Sequence, residues 1–77
     1  MNCLQEFTPK YPNALYGARN GNYKAYVFGY GFHFLMQTCK NNKVLKQYWF
    51  DTLEEAKQKA QWALQPQNTK RMEKQNE

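Results

Sequence analysis

The sequence predicts an α+β domain, a small antiparallel β-meander packed on one C-terminal α-helix. Three observations carry that expectation. Runs rich in Tyr, Val and Phe alternate with Gly and Asn pairs that suit tight turns. Aromatic residues make up 17% of the 77 residues, too many for a chain that stays unfolded. After residue 50 the pattern changes to a capped helical segment with alanine on one face.

The elements follow in order. Residues 1–13 form an N-terminal arm, and residues 14–64 form a single meander-plus-helix domain. Asn20-Gly21 is the strongest turn signal, because both positions of a type I′ hairpin need positive φ. Residues 14–19 before it read as a short strand and residues 23–28 after it as a longer one. Gly29-Tyr30-Gly31 breaks the run as a turn or a bulge. Residues 32–39 and 44–50 are further strands joined through Asn41-Asn42. The count is three strands, or four with residues 14–19.

With Asn41-Asn42 as a two-residue loop, the register of the last hairpin follows. It pairs Cys39 with Val44, Gln37 with Lys46, Leu35 with Tyr48 and His33 with Phe50 on a wetter face. Thr38–Leu45, Met36–Gln47 and Phe34–Trp49 then line the core.

Thr52, followed three residues later by Glu55, has the spacing of a capping box. Glu54 and Glu55 also complement the dipole of the helix start. Leu53, Ala56, Ala60, Ala63 and Leu64 share one face, and Trp62 lies on the other side. Residues 65–77 read as a polar, flexible tail whose only strongly apolar residue is Met72.

Charge divides the chain. The formal net charge is +5, and six basic residues stand against one acid before residue 51. Twelve of the thirteen aromatic residues lie there too, which points to a sheet carrying a contact surface and a helix bracing it. The longest mostly apolar stretch, residues 25–36, is too short to span a bilayer. Residues 1–6 lack a signal-peptide pattern, so a cytoplasmic protein without a membrane partner is expected. Cys3 and Cys39 have no metal-ligand spacing and read as free thiols. With one histidine, no ordinary zinc site can be assembled, and neither a metal nor a cofactor is expected.

Enzymatic activity is not expected. His33 has no evident acid or nucleophile partner, and general acid–base work needs one. Gly29 and Gly31 lack the strand–turn–helix context of a phosphate loop. Binding is the better reading. Arg19, Lys24, Lys40, Lys43 and Lys46 interleave with Tyr26 and Tyr48, so lysine can neutralise phosphate while rings stack on bases. These seven are the candidate nucleic-acid-binding residues, with DNA or a nucleoprotein as partner.

The residues Tyr23-Lys24-Ala25-Tyr26-Val27 and Phe50-Asp51-Thr52-Leu53-Glu54-Glu55-Ala56 carry a resemblance. Residues 22–64 resemble the AP2 and integrase-arm class of DNA-binding domains, a three-stranded sheet backed by one helix. That resemblance implies a sheet that reads the DNA major groove, with Lys24, Tyr26, Lys46 and Tyr48 at the comparable strand positions. The first two strands lack the family's arginine and tryptophan stripe.

The rival reading is a protein-binding inhibitor or accessory factor of phage or mobile-element type, such as an anti-CRISPR-like protein docking on one host protein. Trp62, Tyr11 and Tyr16 would carry that contact, since Tyr and Trp dominate interface energetics. Either the arm folds over the helix and buries Trp62, or the ring is exposed for docking. So small a core would also profit from a second copy, making a homodimer an admissible partner.

Overall fold

The computed structural model describes residues 4–69. Cys3, Met72 and the rest of residues 1–3 and 70–77 lie outside the described residues. The chain forms β1 (Gln5–Phe7), β2 (Ala14–Asn20), β3 (Tyr23–Tyr30), β4 (His33–Lys40), β5 (Lys43–Phe50) and α1 (Leu53–Ala63). The strands make one antiparallel sheet in the order β1-β2-β3-β4-β5. The α+β meander is therefore present, with five strands rather than three or four. The additional strand comes from the arm, where Gln5, Glu6 and Phe7 pair with Arg19, Ala18 and Gly17.

Three two-residue turns set the hairpins, since Asn20 pairs with Tyr23, Tyr30 with His33 and Lys40 with Lys43. Asn41 and Asn42 both have positive φ, the sign pattern of a type I′ turn. The first turn sits one residue later than expected, on Gly21-Asn22. Only Gly21 there has positive φ, which matches the Gly-first type II′ pattern. The Gly29-Tyr30-Gly31 segment breaks late. β3 runs on through Tyr30, and Gly31 with Phe32 makes the turn.

One face of the sheet packs on α1. Alternation along β2, β3 and β4 directs Tyr16, Ala18, Ala25, Val27 and Met36 into a core with Ala56, Ala60, Ala63 and Leu64. The alanines let the helix approach a sheet whose own side chains are larger; Met36, Leu64, Val27 and Thr38 are the largest fully buried side chains. Thr52 caps the helix as expected: the Glu55 amide donates to Thr52 Oγ1 at 3.2 Å, and Thr52 Oγ1 donates to Glu55 Oε1 at 3.0 Å.

The register of the last hairpin departs from expectation. Lys40–Lys43 and Cys39–Val44 pair as expected, but Thr38 then pairs with Lys46, Met36 with Tyr48 and Phe34 with Phe50. Leu45 is the extra residue of a β-bulge, which shifts every later β5 side chain to the other face. Lys46, Tyr48 and Phe50 consequently lie on the helix side, whereas Gln47 and Trp49 lie on the open side. The β4 half of the expectation stands: Phe34, Met36 and Thr38 face the helix.

The helix end is tethered. Asn20 Nδ2 donates to the Leu64 carbonyl at 2.7 Å, joining the first turn to the far end of α1. The chain is helical again at residues 66–69, where the expected tail begins. Asn68 Nδ2 donates to the Trp62 carbonyl at 2.7 Å, and Thr69 Oγ1 to the Pro66 carbonyl at 2.9 Å. Asn68 and Thr69 are buried, so residues 65–69 belong to the folded body rather than to a flexible tail.

Candidate nucleic-acid interface

The face of the sheet turned away from α1 is built by period-2 alternation. Along β3 it carries Lys24, Tyr26, Phe28 and Tyr30, the residues between those that enter the core. β4 adds His33, Leu35, Gln37 and Cys39, and β5 adds Val44 before the bulge and Trp49 after it. Cross-strand pairing lines these up in rows, such as Arg19–Lys24–Cys39–Val44 and Phe28–Leu35–Trp49.

The arm closes one side of this face. Gly17 leaves the room: a Cβ there would stand 2.8 Å from the Phe7 ring and 2.9 Å from Pro9. Phe7 meets Tyr26 edge-on at 5.8 Å, and Tyr11 lies 5.7 Å from Tyr26 and 6.2 Å from Phe28. Between arm and sheet lies a cleft of about 530 Å³, rimmed by Tyr11 and floored by Lys24, Tyr26, Phe28, Gln37 and Cys39. That volume is in the range of ordinary ligand sites. Burial pushes the Cys39 thiol up, against a smaller downward pull from Lys24. The thiol is therefore not an activated nucleophile.

A second aromatic group stands at the other end of the face. Tyr30 lies 5.9 Å from Trp49, and His33 meets Trp49 edge-on at 6.4 Å. Trp49 is 61% exposed, Tyr11 56% and Tyr30 47%. Asp51 Oδ1 is 3.9 Å from His33 Nδ1, an exposed edge contact of little energetic weight.

The described cations of this face gather at its arm end, where Lys10 lines a hollow with Phe7, Tyr11 and Tyr26. Arg19 and Lys24 stand side by side, with Arg19 Nε donating to Gln5 Oε1 at 3.0 Å. The described acids lie elsewhere. Glu6 accepts from the Tyr16 hydroxyl at 2.7 Å, Glu54 and Glu55 occupy the first turn of α1, and Asp51 sits at the corner beside His33.

No family model, curated protein or solved structure matches this chain. The assignment of the surface rests on its own chemistry.

The seven expected nucleic-acid residues are divided by the fold. Arg19, Lys24 and Tyr26 share the open face. Lys40, Lys43, Lys46 and Tyr48 pair into positions on the helix side, the last two because of the Leu45 bulge. There lysines cover aromatic rings: Lys40 lies over Tyr23 at 5.3 Å, and Lys59 over Tyr48 at 5.1 Å. Of the residues named for protein docking, Tyr16 is buried, and Tyr11 belongs to the cleft rim. Trp62 is 43% exposed, with Lys59 Nζ 3.7 Å from its ring centroid. The arm does not bury it, because Phe7 and Tyr11 pack on the opposite face of the sheet.

Phe28, Tyr30 and Trp49 were not among the expected site residues. The spacing Lys24-Tyr26-Phe28-Tyr30 was a usable signal, since alternate residues of a strand share a face. Trp49 gave no such signal. Among the described residues, no three His, Cys, Asp or Glu converge on a metal-sized site. None of their helices is long and apolar enough to cross a membrane.

Proposed function

We propose that this chain is a non-catalytic binding module for DNA or a nucleoprotein, and that the open sheet face is its contact surface. The observation that supports this reading is a face with Arg19 and Lys24 near Tyr11 and Tyr26 at one end and the exposed rings of Tyr30 and Trp49 at the other, where Asp51 stands at the corner. Cations suit phosphates, and rings suit bases or sugars. The strand contacts on this face are Lys24 and Tyr26, since Lys46 and Tyr48 lie on the helix side.

Nucleic-acid affinity measured across a salt series tests it. Affinity should fall steeply as salt rises, because each neutralised phosphate releases counterion. Absence of binding to duplex and single strand alike, even at low salt, rejects the reading. The protein-docking alternative would then take its place, and it has one observation in its favour: Trp62 is exposed on the helix, lining a shallow hollow with Phe50 and Lys59. In that reading the chain acts as an inhibitor or accessory factor on one host protein.

A further inference from the structure

We propose that the strand bound is a single one, DNA or RNA, whose unpaired bases stack on Trp49 and Tyr30 and on Tyr11 at the cleft. This rests on the nucleic-acid reading above and narrows it. Three features separate a single strand from a duplex as the occupant.

The first is shape. A sheet that enters the major groove must be a slim, convex ribbon, because the groove is about 12 Å wide. Here the arm stands on the face, and the surface is a cleft between Tyr11 and the floor of β3 and β4. A raised rim blocks a rigid double helix but admits a flexible strand.

The second is the kind of side chain displayed. Reading base edges in a groove relies on forked donors, chiefly arginine, and Arg19 is already engaged with Gln5 at the edge of the face. Flat rings are among the exposed groups on this side, Trp49 at 61% and Tyr11 at 56%. Rings need unstacked bases, which a duplex does not offer.

The third is charge density. Arg19, Lys24 and Lys10, which lines a hollow with Phe7, Tyr11 and Tyr26, are the described cations near the rings, while Lys40, Lys43 and Lys46 lie around the helix side. Three phosphate contacts are few for a duplex but serviceable for a strand held largely by stacking. Tyr26 and Tyr30 span about 13 Å of strand, at roughly 3.3 Å per residue, so the two ring groups can engage successive stretches of one short oligonucleotide.

The test uses the whole chain carrying Trp62→Phe, which leaves Trp49 as the sole tryptophan. Oligo(dT) of about 12 nucleotides, within the range small sheet domains cover, is titrated at low salt while Trp49 emission is followed. Oligo(rU) and a duplex of equal length form parallel arms. The expected result is quenching of Trp49 by a single strand, with the duplex at least tenfold weaker. Trp49→Ala in the natural chain should weaken binding of a labelled single strand about tenfold. Its thermal melt should stay unchanged, because the ring is mostly exposed. Preference for oligo(rU), for oligo(dT) or for neither supports the inference equally and identifies which strand is taken. Duplex binding as tight as single-strand binding, or binding with Trp49 unquenched, overturns the inference and leaves the nucleic-acid reading intact. No binding in any arm overturns both.

Discussion

The Tyr16 hydroxyl donates to the Glu6 carboxylate at 2.7 Å and accepts from Gln61 Nε2 at 3.1 Å, so one phenol links β1, β2 and α1. Burial, and then the hydrogen bond to Glu6, raise its pKa above the ordinary 10.0. The folded state therefore favours the protonated phenol. Its contribution is complete below pH 10 and is lost as pH rises through the raised value. Urea midpoints measured from neutral to strongly alkaline pH should fall above pH 10, and Tyr16→Phe should flatten that fall. At neutral pH the same substitution should cost about 1.5–3 kcal/mol, the net worth of a hydrogen bond to a charged acceptor. Parallel alkaline declines in the two proteins would exclude Tyr16 as the responsible group.

Thr52→Ala removes the acceptor of the Glu55 amide at the helix start. The expected loss is about 1 kcal/mol, seen as a lower urea midpoint at unchanged slope. An unaltered midpoint would mean that water satisfies that amide equally well.

Met36 and Trp62 should behave as opposites although Trp62 is the larger side chain. Met36 is fully buried under α1, so Met36→Ala should cost about 2–5 kcal/mol. Trp62 is partly exposed and covered by Lys59, so Trp62→Ala should cost about 1 kcal/mol or less. Thermal melts of the two variants decide this. A large loss at Trp62 would mean that the ring is covered by chain beyond the described residues.

Lys24 and Lys46 separate the two sides of the sheet. With the open face as the nucleic-acid surface, Lys24→Ala should lower the slope of log affinity against log salt by about one, and Lys46→Ala should leave it unchanged. The reverse result would move the contact to the helix side.

The parts of this fold legible in the sequence are those decided within a few residues. Thr52 and Glu55 are three apart, and their mutual capping needs only a helix to begin there. Phe34, Met36 and Thr38 share a face through alternation alone. β1 was illegible because three residues are too few to show a period, and its partner β2 lies across the irregular 8–13 connection. Lys46, Tyr48 and Trp49 were misplaced for one reason: a bulge at Leu45 is settled by how both sheet faces pack, not by the local residues. The candidate site was half legible in consequence, with Arg19, Lys24 and Tyr26 found, Trp49 missed and Tyr11 assigned to a different role.

The Leu45 bulge works as a phase shift in an alternating code. If Leu45 instead took a regular place in the ladder opposite Thr38, Tyr48 would turn outward and Trp49 inward under the helix, while every other strand kept its composition. Deleting Leu45 removes the bulge and leaves Lys46, Tyr48 and Trp49 opposite their present partners, so Trp49 emission in a Leu45-deleted, Trp62→Phe chain should show no blue shift. Two quite different surfaces thus lie one pairing step apart, and which of them the sheet displays depends on whether Leu45 stays outside the ladder.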